Sequence, residues 1–333
     1  MRGRGGRGGA RGGYRGGKAP SSAPWSRLKP VELDPLEAMG LPSKGDDRLL
    51  DLKTQERYYT KIVERYMTFC SDAGEREELL RRFASLNLTT QNPYPNDKTT
   101  TTHAQSTPHL TSARPHPHHA TTAPPGVPLK PSGISSNTKG LSDVLAALRK
   151  LREGIVASKR ADDFAVQAYL FCIRLAVLVK NPETYHPSIL HLLRRIHPRH
   201  PMTSIETSEV VGYLILDTAC RRSDLAEAYT LRHRYRLRDP KVDGVLEALT
   251  HDNYMLLKRL RMSADGHKAK LLEYAEEAMR RHALKCFGRS YLSVDLAFLE
   301  KCTDANWMDL ISNEKVGWEL EGSMVVIRKV KGR

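Results

Sequence analysis

The sequence predicts a mainly α-helical protein that ends in a small unit of short strands and helices. Apolar residues recur at spacings of three and four through most of residues 138–286, which is the period of an amphipathic helix. The alternation typical of a strand appears near the C-terminus, at residues 318–327. Residues 1–17 and 88–137 show neither pattern. We therefore expect a right-handed helical stack with a disordered N-terminal tail and a disordered internal linker.

Composition indicates a soluble, intracellular protein. No apolar run approaches the length of about eighteen residues that a membrane helix needs, and the N-terminus lacks the apolar core of a signal peptide. The five cysteines are widely spaced and form no Cys-x-x-Cys motif, which favours reduced thiols in the nucleus or cytoplasm. We expect no membrane partner, and localisation in the cytoplasm, the nucleus or both.

The tail, residues 1–30, carries more than half of the net charge of +15, because it holds eight basic residues and no acidic one. It repeats Arg-Gly-Gly four times, with Tyr14 between two repeats, and the four arginines are Arg4, Arg7, Arg11 and Arg15. Arginine contacts phosphates and stacks on bases, while glycine keeps the backbone flexible. The tail is therefore a candidate RNA-binding segment, although a solubilising tail or a methylation substrate would have the same composition.

Residues 31–87 are predicted to form a helical hairpin, with one helix within 46–73 and a second at 75–86. We interpret its aromatic stripe (Tyr59, Tyr66, Phe69) as core. The sequence leaves open whether the hairpin packs on the main domain or binds a partner. The linker 88–137 contains His116, His118 and His119, but a Pro/Thr-rich segment without supporting residues is a poor metal site, and we predict no metal.

The helical body is predicted over residues 138–270. Residues 164–179 are apolar nearly all round, which indicates a central buried helix. Asn181-Pro182 ends it, and Pro187-Ser188 is expected to open a short helix. Further helices are expected at about 204–221, 223–236, 241–261 and 265–286, without a repeat of fixed period.

The C-terminal unit, residues 271–330, is predicted to contain a helix, a short strand, two helices and a hairpin. Ser293 is expected to cap a helix that buries Val294, Ala297, Phe298 and Cys302. Asp304 is expected to cap a second helix that buries Trp307, Leu310 and Ile311. Gly322-Ser323 supplies the turn between strands at 318–321 and 324–327. This order of elements is that of a winged helix.

A helical stack that runs into a terminal winged helix resembles the PCI domain. The residues that carry the resemblance are RSYLSV at 289–294, Trp307, Gly317-Trp318 and Val325-Val326-Ile327. They are similar to the small-PCI group, which comprises the smallest subunit of the COP-nine signalosome, the small non-ATPase subunit of the proteasome lid and the k subunit of eukaryotic initiation factor three. The PCI core of GANP-type mRNA-export scaffolds is also similar. The resemblance covers about residues 138–330, and the Arg-Gly-Gly tail departs from it.

The resemblance implies scaffolding in a multi-subunit particle, with other PCI-type or complex subunits as partners and assembly through the winged helix. We expect Met324–Ile327 to be an edge strand that adds to a neighbour's sheet, so the predicted protein interface is Trp318, Met324, Val325, Val326 and Ile327. Alternatively, this strand only packs on its own helices.

Nucleic-acid binding is assigned to other parts of the chain. The second helix of the unit carries Asp304, Asp309 and Glu314 and no Arg or Lys, so sequence-specific DNA binding is not expected. A basic stripe at residues 221–261 is the better candidate, and Arg232, Arg234 and Arg236 are its predicted RNA-contacting residues. A solvated face or pairing with neighbouring acids would also explain these arginines.

Two function classes remain after these observations. The chain has no phosphate-binding Gly-rich loop, no nucleophile elbow and no paired metal-ligand spacing, so we predict neither an enzyme nor a cofactor. The first class is a non-catalytic PCI-type scaffold subunit with an accessory RNA-binding tail. The second is an RNA-associated adaptor in mRNA export, transcription or translation.

Overall fold

The structure, a computed structural model, describes residues 34–73 and 134–329. The predicted tail 1–30, the predicted second helix 75–86 and nearly all of the linker lie outside the described residues. Within the described residues the chain is mainly helical, as predicted, with eleven α-helices and one three-stranded sheet.

The N-terminal segment packs on the body. Two 3₁₀ turns (Pro42–Lys44 and Asp47–Leu50) lead into α1 (Leu52–Ala73), which lies against α2 (Ile134–Ala157). Its inward side chains are buried in the same core as the body helices; they include Leu49, Tyr58, Ile62 and Phe69. Residues 34–73, the described part of the predicted hairpin, therefore pack on the main domain.

The aromatic stripe of α1 is part of this core. The Tyr59 ring meets the Phe164 ring edge-on at 5.5 Å between centroids, and the Tyr66 ring meets the Phe171 ring at 5.3 Å. Both tyrosines therefore pack against the next layer, as predicted, and no ligand is needed to explain them.

Six further helices complete the body. They are α3 (Asp163–Leu178), α4 (Pro182–His191), α5 (Ser204–Leu216), α6 (Leu225–Arg234), α7 (Pro240–Thr250) and α8 (Tyr254–Ser263). Helix α3 is buried on most sides, which confirms the prediction for residues 164–179. Helices α4 and α5 each continue into a single π turn, at Leu192–Ile196 and Asp217–Arg221.

Two predicted helix boundaries in the body are wrong. Pro187 lies inside α4, which begins at Pro182 under an Asn181 cap, because the Asn181 side chain accepts the Thr184 N–H at 3.0 Å. The predicted helix 241–261 is two helices. Asp252 adopts a left-handed backbone (φ 51°), and the Asn253 side chain caps α8, so the chain turns between α7 and α8.

The C-terminal unit follows the body without a break, since one long helix belongs to both. The elements are α9 (Gly266–Ser290), β1 (Ser293–Asp295), α10 (Leu296–Thr303), α11 (Trp307–Ser312), β2 (Glu319–Glu321) and β3 (Met324–Val326). The unit has a small core of its own around Phe287, Leu299, Leu310 and Val325.

The predicted caps of the two short helices are wrong. Ser293 lies in β1, and the Asp295 side chain caps α10 by accepting the Phe298 N–H at 3.0 Å. Asp304 ends α10 in a left-handed conformation, and Asn306 caps α11. Helix α10 begins later than predicted, and its buried side chains are Leu299, Thr303 and, as predicted, Cys302.

Three side chains predicted to face inward are exposed. Ala297 and Phe298 on α10 and Ile311 on α11 all face outward, with Phe298 47% and Ile311 42% exposed.

The strand order also differs from the expectation. The sheet order is β1-β3-β2, with both pairs antiparallel, and Val325 pairs with Val294 on one side and Leu320 on the other. Met324–Ile327 is therefore not an edge strand, because β3 is already paired on both sides. The free edges belong to β1 and β2.

Candidate binding surfaces

The predicted basic stripe is smaller than its sequence suggests, because five of its ten lysines and arginines pair with carboxylates within the molecule. Arg232 binds both carboxylate oxygens of Asp243, with 2.7 Å between Nη2 and Oδ2, and this hydrogen bonding raises the pKa of Arg232. Arg221 pairs with Asp217 at 2.6 Å and Lys258 with Asp304 at 2.7 Å.

Four arginines of the stripe keep their charge free. Each is exposed and has no carboxylate within 4 Å among the described residues; they are Arg234, Arg236, Arg238 and Arg259. Of the three predicted RNA contacts, the structure thus leaves Arg234 and Arg236 available and pairs Arg232. The predicted tail contacts Arg4, Arg7, Arg11, Tyr14 and Arg15 lie outside the described residues.

The predicted protein interface is divided between buried and accessible side chains. Val325 has no exposed area, whereas Met324 is 39% exposed. Trp318, Val326 and Ile327 are half-buried, and Trp318 lies against Gly288. Val325 holds the sheet onto its helices, so it is not accessible to a partner.

Exposed apolar side chains are concentrated on the C-terminal unit. Among the described residues, seven of the fourteen exposed large hydrophobic side chains belong to the stretch 291–324; they are Tyr291, Leu292, Phe298, Met308, Ile311, Leu320 and Met324. We call this set the apolar C-terminal surface. Such a concentration is typical of surfaces that bind other proteins.

Two parts of this surface can be located from contacts. The rings of Tyr291 and Phe298 both lie against Phe287, at 5.5 and 6.0 Å between centroids. Met308 and Ile311 are three residues apart on α11, so they share one helix face, opposite the buried Leu310. Helical spacing alone could have paired Met308 with Ile311, but nothing in the sequence says which side of so short a helix faces outward.

The acidic residues around α11 are largely neutralised by cations of the body. Asp304 pairs with Lys258 and Arg261, and the nearly buried Glu314 carboxylate lies 3.4 Å from both Arg280 and Arg281. The hydrogen bond from Lys258 lowers the pKa of Asp304. The exposed face of α11 therefore presents Met308, Asp309 and Ile311, and no basic side chain.

A small cavity of about 50 Å³ lies where α8, α9 and α10 meet. Its wall includes Tyr254, Arg261, Glu276 and Thr303. Burial raises the pKa of Glu276, although the Arg261 guanidinium lies 2.5 Å from its carboxylate. The volume has room for a water molecule or two, and the ion pairs around it join the C-terminal unit to the body.

Comparison with known proteins does not identify the chain. No protein-family model matches the sequence, and no curated protein matches it. Within the described residues, every helix is too short or too polar to span a membrane.

Proposed function

We propose that the chain is a non-catalytic scaffold subunit of the PCI type, in a particle like the proteasome lid, the signalosome or an initiation factor. The order α9-β1-α10-α11-β2-β3, with strand order β1-β3-β2, supports reading the C-terminal unit as a winged helix. The continuous helix α9 supports a helical stack that leads into it. Such a subunit would work in the cytoplasm, the nucleus or both.

The apolar C-terminal surface is the observation that carries this proposal. Water contact with exposed apolar side chains costs about 25 cal/mol per Å² relative to burial, so a partner that covers them gains free energy. Because the exposed face of α11 has no basic side chain, it suits a protein partner better than a nucleic acid. The partner we propose is the corresponding unit of another PCI-type subunit.

The free sheet edges give this partner a second means of attachment. The Leu292 carbonyl accepts from Ile327, and the Leu296 N–H donates to Ser323 at 2.9 Å, so these alternate residues of the β1 region face β3. In an antiparallel ladder the backbone groups of Ser293, the residue next to Leu292, point away from β3. Leu320 has the equivalent position on the outer edge of β2. Either edge is open to an added strand.

A double substitution on α11 tests the scaffold proposal. Met308→Glu with Ile311→Glu places two charges on exposed positions, so the fold should survive while co-purifying subunits are lost in affinity purification with mass spectrometry. The matched control is Met262→Glu with Ile205→Glu, since these residues of the same two types are 82% and 79% exposed on the body. Retention of every partner by the α11 variant would overturn the proposal.

The second candidate function is an RNA-associated adaptor, and the free charges of Arg234 and Arg236 favour it. Both arginines are exposed without a carboxylate partner among the described residues, so they can approach phosphates at little desolvation cost. Deletion of residues 1–17 together with Arg234→Glu and Arg236→Glu should abolish RNA crosslinking. Arg57→Glu, an exposed change on α1, is the control. Nuclease treatment before purification separates partners held by RNA from partners held by protein.

A further inference from the structure

Arg152 differs from the other half-buried arginines of the described residues, because it has no carboxylate partner. Eight described arginines are half-buried. Seven of them pair with an acidic side chain within 4 Å; they are Arg65, Arg160, Arg174, Arg221, Arg232, Arg261 and Arg280. A guanidinium taken out of water is costly unless an anion compensates its charge. The eighth, Arg152, has no such anion to compensate its charge.

The hydrogen bonds of Arg152 are also incomplete. Its Nη1 donates to the Ser188 hydroxyl and, at 3.4 Å, to the Thr184 carbonyl, while its Nε–H is buried and has no acceptor. The Ser188 hydroxyl in turn donates to the Thr184 carbonyl at 2.5 Å. Both acceptors are uncharged, so no anion balances the positive charge of Arg152 between α2 and α4.

Further basic side chains lie around Arg152. His191, at the end of α4, stacks on the buried Tyr169 ring at 5.2 Å. Burial lowers the pKa of His191, and the nearby charges of Arg195 and Arg152 lower it further. Arg195 follows His191 by about one helical turn, and Arg149 precedes Arg152 by about one turn on α2.

The carboxylate nearest to this group on α2 is directed elsewhere. Glu153 accepts the Ser43 N–H at 2.7 Å. Among the described residues, neither His191, Arg195 nor Arg149 has a carboxylate within 4 Å. Basic side chains therefore lie together at this place without a carboxylate, and the Arg152 Nε–H has no acceptor.

We propose that Arg152, His191 and Arg195 together bind a phosphate monoester. The guanidinium groups supply charge-assisted donors to phosphate oxygens, and the imidazole supplies a further N–H donor. A monoester carries about two negative charges at neutral pH, which suits a compact group of basic side chains. A nucleic-acid backbone carries one charge per phosphate and is usually bound along a row of cations, so it fits this group less well.

Titration of the purified full-length protein with inorganic phosphate tests this assignment. Calorimetry at constant ionic strength should show saturable binding, and NMR should show that phosphate raises the pKa of His191. Arg152→Met keeps the apolar stem and removes the charge, and it should weaken phosphate binding by at least about tenfold. Arg174→Met is the matched control, because Arg174 is half-buried but pairs with Glu209, and it should bind phosphate as the wild type does.

A second variant keeps the test decisive if Arg152→Met does not fold. Arg195→Gln changes an exposed residue, so it should fold and still lose about tenfold in phosphate affinity. O-phosphoserine, with serine as its control, distinguishes a phosphorylated side chain from free phosphate as the source of the ligand. Wild-type affinity in the Arg195 variant would overturn the assignment, as would RNA binding at these residues that inorganic phosphate and O-phosphoserine fail to displace.

Discussion

The Tyr185 hydroxyl donates a hydrogen bond of 2.5 Å to Oδ1 of Asp217, a side chain with no exposed area. The same carboxylate accepts from Arg221 at 2.6 and 2.7 Å, and His186 Nδ1 lies 3.2 Å from Oδ2. Tyr185 and His186 belong to α4, whereas Asp217 and Arg221 lie in the π turn after α5. The buried carboxylate therefore joins two neighbouring helices of the body.

Removing the charge of Asp217 should destabilise the body strongly. Asp217→Asn keeps the size of the side chain but leaves Arg221 without its counter-charge and disturbs three hydrogen bonds. We expect the free energy of unfolding to fall by about 2–4 kcal/mol. Chemical denaturation monitored by circular dichroism measures it. Arg222→Gln, next to the same turn, should change stability by less than about 0.5 kcal/mol, since Arg222 is exposed and lies 3.9 Å from Asp224.

The same carboxylate should make stability depend on acid pH. Burial alone would raise the pKa of Asp217, but hydrogen bonds from Arg221 and Tyr185 outweigh burial and hold the pKa below its usual value. The unfolded chain, with an aspartate pKa of about 3.9, therefore takes up the proton first as pH falls. The contribution of Asp217 is complete well above about pH 4 and is lost below it. Denaturation curves between pH 3 and 7 should show a smaller loss for Asp217→Asn than for the wild type.

Most helices of the body could be predicted from the spacing of apolar residues, because the buried positions of a helix recur every three to four residues. The stripe Leu141, Val144, Leu148, Leu151 and Ile155 on α2 is fully buried, and α3 is where residues 164–179 were expected. The short elements could not be predicted as well. Ser293 and Asp295 are both good helix caps, and only the pairing of Ser293 with Val326 places it in a strand.

The surfaces were harder to predict than the helices, because their character depends on contacts distant in sequence. Arg261 reads as part of a basic stripe, but its partner Asp304 lies 43 residues further on. Val325 reads as a β-branched edge residue, yet strand order is a tertiary property and places it in the middle of the sheet. The lack of a carboxylate partner at Arg152 could not be predicted either, because it depends on which side chains surround Arg152 in the folded protein.

Gly154 on α2 should not tolerate alanine. A Cβ at this position would lie 2.7 Å from the Leu49 carbonyl oxygen and 2.8 Å from the Leu49 Cβ. Alanine normally stabilises a helix interior by about 1 kcal/mol relative to glycine, but here the clash should reverse the sign and cost about 1–3 kcal/mol. Hydrogen exchange should show lower protection in α1. Gly266→Ala is the control, because nothing lies within 4 Å of its Cβ position, and it should not lower stability.

A charge at Val325 should unfold the C-terminal unit. Val325 has no exposed area, so Val325→Asp places an unpaired carboxylate in the core of the unit and should cost several kcal/mol. Fluorescence of Trp307 and Trp318 reports the loss, while circular dichroism of the helical body should stay close to that of the wild type. Met324→Lys, one residue away and 39% exposed, should leave the fluorescence unchanged. A folded Val325→Asp unit would contradict the central position of β3.

Asp304 should contribute to stability in two separable ways, through its charge and through its backbone. It lies 2.7 Å from Lys258 and adopts φ 53°, a left-handed conformation that Asn and Asp accept more readily than Ala. Asp304→Asn removes only the charge, and since the side chain is half-exposed, the loss should be about 0.5–1 kcal/mol. Asp304→Ala should lose about 1 kcal/mol more, because the backbone becomes strained.

In 1 M KCl the difference in stability between wild type and Asp304→Asn should shrink, since salt screens the pairs with Lys258 and Arg261. The difference between the two variants should persist, because steric strain does not depend on salt. Equal stability of the two variants at either salt concentration would show that the left-handed turn after α10 does not constrain this residue.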